Sequence, residues 1–248
     1  MPPVIDVRLL DPPPAGFPDC AECPYRETGT PAICFACASG GVDPLPGPLC
    51  PTCGEPLVDG GPCANTVCRL EDRWFSGIYT VSRSAEDMWT AVCRYKYDED
   101  RTWAPILGRI LAGFLEERRD DLGGYDLITA GALYVGPRAN RLWDHLRLIL
   151  DAAQADGPDW PFAPDLITKS GPTGQFLGRS VATRQAIAEH ALRKALAVPE
   201  PERVAGRRIL VVDDVYSEGF SLREMARALV TAGAAEVAGL VFARRKGG

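Results

Sequence analysis

Residues 209–221 read ILVVDDVYSEGFS. Four apolar residues end in two adjacent aspartates, Asp213 and Asp214. A short loop with one glycine follows, and then the amphipathic stretch FSLREMARALVT. The pattern predicts a strand over 208–213, a loop over 214–219, and a helix over 220–232 stopped by Gly233. An apolar run without alternation fits a strand covered on both faces, as in a parallel sheet.

The chemistry of this stretch follows from its geometry. In α/β proteins ligands bind outside the carboxyl ends of parallel strands. A loop that enters a helix points unpaired N–H groups outward, with a partial positive charge behind them, and a phosphate sits well there. Gly219 lets the backbone approach closely, and the cradle spans Ser217, Glu218, Gly219, Phe220 and Ser221. Ser217 and Ser221 add hydroxyl donors. Asp213 and Asp214 are acceptors suited to vicinal hydroxyls or a hydrated Mg²⁺. The loop alone therefore points to a phosphorylated sugar with Mg²⁺. Glu218 is the discordant residue, because a carboxylate facing a phosphate repels it. It fits if it turns to solvent, or pairs with Arg223 or with Mg²⁺.

Around this stretch, apolar strands alternate with helices. WFSGIYTV (74–81), YDLITAGALYV (125–135) and VAGLVFARR (237–245) read as strands. SAEDMWTAVCRYKY (84–97), TWAPILGRILAGFLEERR (102–119), ANRLWDHLRLILDAAQ (139–154) and VATRQAIAEHALRKAL (181–196) read as helices. In the third, Leu142, Leu146, Ile149 and Leu150 share one side. The expected fold is α/β, with a mostly parallel sheet flanked by helices, over residues 73–248. His145 and His190 fall on helices, where packing or surface roles are expected.

Residues 1–72 differ in kind. They are rich in Gly and Pro, poor in large aliphatics, and hold eight of the nine cysteines. Such a segment cannot build an apolar core, so metal is expected to hold it. The start, MPPVIDVRLLDPPPAG, has no basic region followed by an apolar core, and no apolar run approaches a membrane span. A cytoplasmic protein with reduced thiols is expected, in which paired cysteines read as metal ligands. Cys20 and Cys23 precede Cys34 and Cys37; Cys50 and Cys53 precede Cys63 and Cys68. Two four-cysteine zinc sites of structural type follow from these spacings. Sequential pairing is preferred over an interleaved cross-brace. An iron–sulfur cluster and a metal-free remnant are the alternatives. Cys93, on a helix, reads as a small buried residue.

The whole chain carries a net charge of −6, and residues 1–72 hold ten acidic against three basic residues. Two thiolate-bound zinc ions would add about −2 each. Such a surface repels phosphates, so a protein partner is expected at the ribbons rather than nucleic acid.

ILVVDDVYSEGFS resembles the phosphoribosyl pyrophosphate (PRPP) motif of type I phosphoribosyltransferases. The order of a cysteine region (CPTCGEPL…CANTVC), an aromatic strand and CRYKYDED is similar to the ComF-type phosphoribosyltransferases, a family linked to competence and DNA uptake. TKSGPTGQFLGRSVATRQ, with Thr173, Gln175 and Arg184, matches a further segment of that family, and the likeness covers roughly 50–246. The resemblance implies that Asp213 and Asp214 contact the ribose hydroxyls and that residues 217–221 hold the 5′-phosphate. It also implies roles for Lys96 and for a pyrophosphate loop near Leu133–Arg138, with Arg138 and Arg141 nearby. Pyrophosphate would leave C1 through a cation-like sugar, with Mg²⁺ bound alongside. The chain has ALY (132–134) where that family often has Pro-Val-Pro. Together with Glu218, this leaves two readings open: a transferase acting on a base or amine, or a non-catalytic adaptor or sensor with the same fold.

Overall fold

The computed structural model describes Asp6 and residues 48–244, apart from residues 83–86, 99, 140–141, 158, 175 and 177. Cys20, Cys23, Cys34 and Cys37, and also Arg141 and Gln175, lie outside the described residues.

The elements run in the order β1 (Ile78–Ser82), α1 (Asp87–Tyr97), α2 (Trp103–Glu117), α3 (Arg119–Leu122), β2 (Leu127–Ala130), α4 (His145–Asp156) and β3 (Thr168–Lys169). Then come α5 (Val181–Ala186), a π-helical turn (Ile187–Leu192), α6 (Arg193–Ala195), β4 (Leu196–Ala197) and α7 (Pro201–Val204). The chain ends with β5 (Arg208–Tyr216), α8 (Phe220–Thr231) and β6 (Glu236–Arg244). The main sheet has the order β1-β6-β5-β2 with every pairing parallel. β3 and β4 form a small antiparallel pair. No helix among the described residues is long and apolar enough to cross a membrane.

The run ILVV is buried on both sides, as its lack of alternation requires. Leu210 and Val212 face one layer with Leu240 and Phe242, under α1, α2 and α4. Ile209 and Val211 face the other with Val237 and Val241, under α8. Helices α2 and α4 cross closely at Gly108, where a Cβ would meet the Ala152 Cβ at 2.5 Å. Only a residue without a side chain allows that approach.

Among the boundaries that differ from the sequence expectation, four have a tertiary reason. β5 runs on to Tyr216, because β6 keeps pairing with it through Val215↔Ala243 and Tyr216↔Arg244. The two aspartates are therefore strand residues. β2 stops at Ala130; Gly131 N–H makes a last bond to Val212 O (2.8 Å), and GALYV becomes a loop. α4 begins at His145 rather than at 139, because Asp144 caps it by accepting from Arg147 N–H at 2.9 Å. Leu142 consequently leaves the apolar face and is 68% exposed. The helix expected over 181–196 loosens into the π turn and gives its last residue, Leu196, to β4.

Candidate functional site

The carboxyl ends of β2 and β5 open onto a cavity of about 950 Å³. Lys96, Lys169, Arg138 and Arg184 stand on its walls, and Asp213 and Asp214 stand at its floor. Successive strand residues point to opposite faces, so the two aspartates have different surroundings. Asp214 is buried on the α1/α4 side, where it pairs with Lys96 Nζ and takes a hydrogen bond from His145 Nε2 at 2.8 Å. Asp213 is half-buried, and its Oδ1 accepts from the Asp214 N–H at 2.8 Å.

Those surroundings split the pair electrostatically. Burial, and then the Asp214 charge, push the Asp213 carboxyl up to about 7. Burial would raise Asp214 too, but the Lys96 charge and the His145 bond outweigh it and hold this carboxyl below the usual range. Burial lowers the His145 pKa despite Asp214. Burial also opposes the Lys96 charge, yet Asp214 raises its pKa. Near neutral pH the set is thus Lys96⁺, Asp214⁻ and a neutral His145 that donates through Nε2. Tyr95, the residue before Lys96 on α1, donates to the His145 carbonyl at 2.6 Å. His145 is thus buried against Tyr95 and Trp143, as a packing role requires, and it also holds Asp214.

The loop after β5 is the second half of the site. Gly219 sits at φ 89° just before α8, and a Cβ there would lie 2.5 Å from the Tyr216 hydroxyl. Glycine is required on both counts. The first N–H groups of α8 lack helical partners by geometry, and they stand beside a pocket of about 40 Å³ lined by residues 215–222 with Phe176, Asp213 and Val241. Ser221 is half-buried and Phe220 is buried. Glu218 points neither to solvent nor to Arg223. It is 5% exposed, pairs with Arg184 at 2.6 Å, and takes a bond from the Ser217 hydroxyl at 2.9 Å. Its charge is neutralised inside the protein, which answers the repulsion that the sequence raised.

Arg223 instead braces the helix from behind. It bonds the Asp72 carboxylate and carbonyl, Glu189 at 3.1 Å and Glu224 at 3.3 Å. Glu224 is fully buried and also binds Arg193 (2.7 Å) and Arg227 (3.0 Å). Burial raises the Glu224 pKa, but these guanidinium groups win and lower it.

The cysteine expectation holds in geometry for the group that is described. The sulfurs of Cys50, Cys53, Cys63 and Cys68 lie within 4.8 Å of one another. Four thiolates at this spacing can hold one tetrahedral metal ion. The knuckle is tied to the sheet: Arg244, at the end of β6, donates to the Cys53 carbonyl at 2.6 Å and pairs with Glu55. Cys93 is half-buried on α1.

Residues 137–248 match the family model of the phosphoribosyl transferase domain. That region contains α4, β5, the Gly219 loop, α8 and β6; the knuckle, β1, α1, α2 and β2 precede it. No curated protein matches this chain. Among solved structures, it is similar to the allosteric regulatory enzyme of purine biosynthesis, at 20% identity and a TM-score of 0.34. It is also similar to the glutamine phosphoribosylpyrophosphate amidotransferase from B. subtilis complexed with ADP and GMP, at 25% identity and a TM-score of 0.33. Each alignment covers 56% of this chain and 25% of the other, so the likeness spans a quarter of those proteins.

The structure brings Lys96, Arg138, Thr173, Arg184, Asp213, Asp214 and residues 217–221 to the cavity or its edge. Thr173 is buried, and its hydroxyl has no partner among the described residues. Sequence reasoning missed Lys169 and the part played by His145. Neither carries a local signal, since each meets the site only through the packing of β3 and α4.

Proposed function

We propose that this protein binds PRPP or a closely related sugar phosphate, with Mg²⁺, and transfers the phosphoribosyl group to a base or amine. One arrangement carries the reading: a neutralised, glycine-hinged loop at a helix N-terminus, beside a half-buried Asp213, at the mouth of a cation-walled cavity. The α8 N-terminus and Ser217 and Ser221 would hold the 5′-phosphate. Asp213 would accept from a ribose hydroxyl or hold the hydrated metal. Arg138, at the outer rim, would face pyrophosphate, and Mg²⁺ would neutralise the pyrophosphate as it leaves. The protein's part is positioning and charge stabilisation around a cation-like sugar. Within this reading the chain is a ComF-type transferase, and Cys50, Cys53, Cys63 and Cys68 hold one structural zinc.

One observation favours the second reading, a non-catalytic sensor or adaptor. Asp214 already spends its carboxylate on Lys96 and His145, so only Asp213 is free to meet the ribose. Calorimetry with PRPP and Mg²⁺ tests both. Binding by the wild type that Asp213→Asn weakens by about tenfold or more, the scale of one charge-assisted hydrogen bond, supports the site. Pyrophosphate release with a panel of bases and amines supports transfer, binding without release supports the sensor, and absence of binding overturns both.

A further inference from the structure

The four-cysteine knuckle reaches the phosphate loop through one side chain. Asn65 lies between Cys63 and Cys68 and is 9% exposed. Its own N–H donates to Cys63 Sγ at 3.4 Å, and its Oδ1 accepts from Val67 N–H at 3.0 Å. Its Nδ2 donates to the carbonyl of Ser217 at 3.0 Å, 152 residues away in sequence. The next carbonyl, that of Glu218, accepts from the Tyr216 hydroxyl at 3.4 Å. Tyr216 packs in the same cluster as Cys50, Cys53 and Cys63.

Two consecutive loop carbonyls are therefore held from the knuckle side. In a trans peptide the C=O and the following N–H point in opposite directions. Fixing the carbonyls of Ser217 and Glu218 aims the N–H groups of Glu218 and Gly219 away from the knuckle. The small pocket beside the loop has no lining residue from the knuckle. Successive N–H groups aimed together form an anion-binding nest.

We propose that Asn65 is a positioning residue that transmits the state of the cysteine cluster to the phosphate loop. With a metal ion on the four sulfurs, the 63–68 turn is fixed and Asn65 holds the Ser217 peptide so that its N–H partner faces the ligand. Without the ion, the turn loosens and the peptide is free to rotate, which dismantles the nest. Metal loss or thiol oxidation thus lowers affinity for a phosphate ester at a distance. The effect on affinity rests on the sugar-phosphate reading above; the mechanical coupling does not.

The full chain loaded with zinc allows a direct test, with ribose 5-phosphate as the probe and amide hydrogen exchange over 214–222 as a second readout. Asn65→Asp keeps the acceptor for Val67 N–H, so it retains the metal, but sets a carboxylate against the Ser217 carbonyl. We expect faster exchange in the loop and at least tenfold weaker ribose 5-phosphate binding. Chelation of the wild-type metal gives the same two changes, re-addition of zinc reverses them, and chelation of Asn65→Asp adds nothing in the loop. Unchanged loop exchange after chelation overturns the proposal, whatever the variant does. If the loop responds but the wild type does not bind ribose 5-phosphate, the ligand reading fails and the coupling stands.

Discussion

The cavity is bounded by two loops of opposite design. The loop after β5 has Glu218 and Gly219 buried between the buried Tyr216 and Phe220, and its charges and carbonyls are bonded to α5, to the knuckle and to Tyr216. In the loop after β2, residues 136–138 are exposed, and Arg138 adopts a left-handed backbone at φ 63°. The first loop is a seat held in place by what packs behind it. The second keeps its cation exposed at the rim. The difference shows that the same fold position, a loop at the end of a parallel strand, can be preorganised or left open according to what packs behind it.

The contrast breaks or sharpens under substitution. The largest effect is expected behind the seat. Glu224→Leu leaves the buried Arg223 without one of its acceptors and costs about 3 kcal/mol, read from denaturant unfolding. Next comes the seat itself: Gly219→Ala combines a positive φ, worth about 1–3 kcal/mol, with the Tyr216 contact, and it should abolish ribose 5-phosphate binding. A Gly219→Ala protein with wild-type stability and affinity would end the claim that this loop is preorganised.

A smaller, graded effect is expected with pH. Asp213 must be ionised to hold a cation or to accept only, so affinity for PRPP with Mg²⁺ should rise about tenfold per pH unit below 7 and level off above it. Asp213→Asn flattens that profile. The same shift has a sign for stability. The folded carboxyl takes its proton before the unfolded one, so this group weakens the fold as pH rises from about 4 to about 7. Asp214 acts in the opposite sense, and its contribution is lost as pH falls below the ordinary carboxylate range. The smallest effect belongs to the open loop. Arg138→Gly relieves about 1–2 kcal/mol of left-handed strain but adds about 0.5–1 kcal/mol of chain entropy. Stability should move by no more than about 1.5 kcal/mol while pyrophosphate affinity falls.

The seat was legible in the sequence because its signals are local. A buried strand, two acids, a glycine and a helix start fall within thirteen residues, and backbone geometry ties each to its neighbour. The cysteine spacing was legible for the same reason. The open loop was not. GALYV is as apolar as a strand, and only the end of pairing at Val212 turns it into a loop. The helix that carries His145 was read six residues too early, because periodicity ran through Leu142 and the Asp144 cap outranked it.

What the sequence determined by itself is the strand, the Gly219 hinge and the helix start, since each depends on groups a few bonds apart. Only the tertiary structure decided the charges. Asp213 and Asp214 are adjacent and chemically identical, yet Lys96 and His145 pair directly with Asp214. Glu218 opposes a phosphate until Arg184, from another helix, lies 2.6 Å away. Coulombic energy depends on distance and burial rather than on order along the chain. The protonation states of this site therefore had to come from packing.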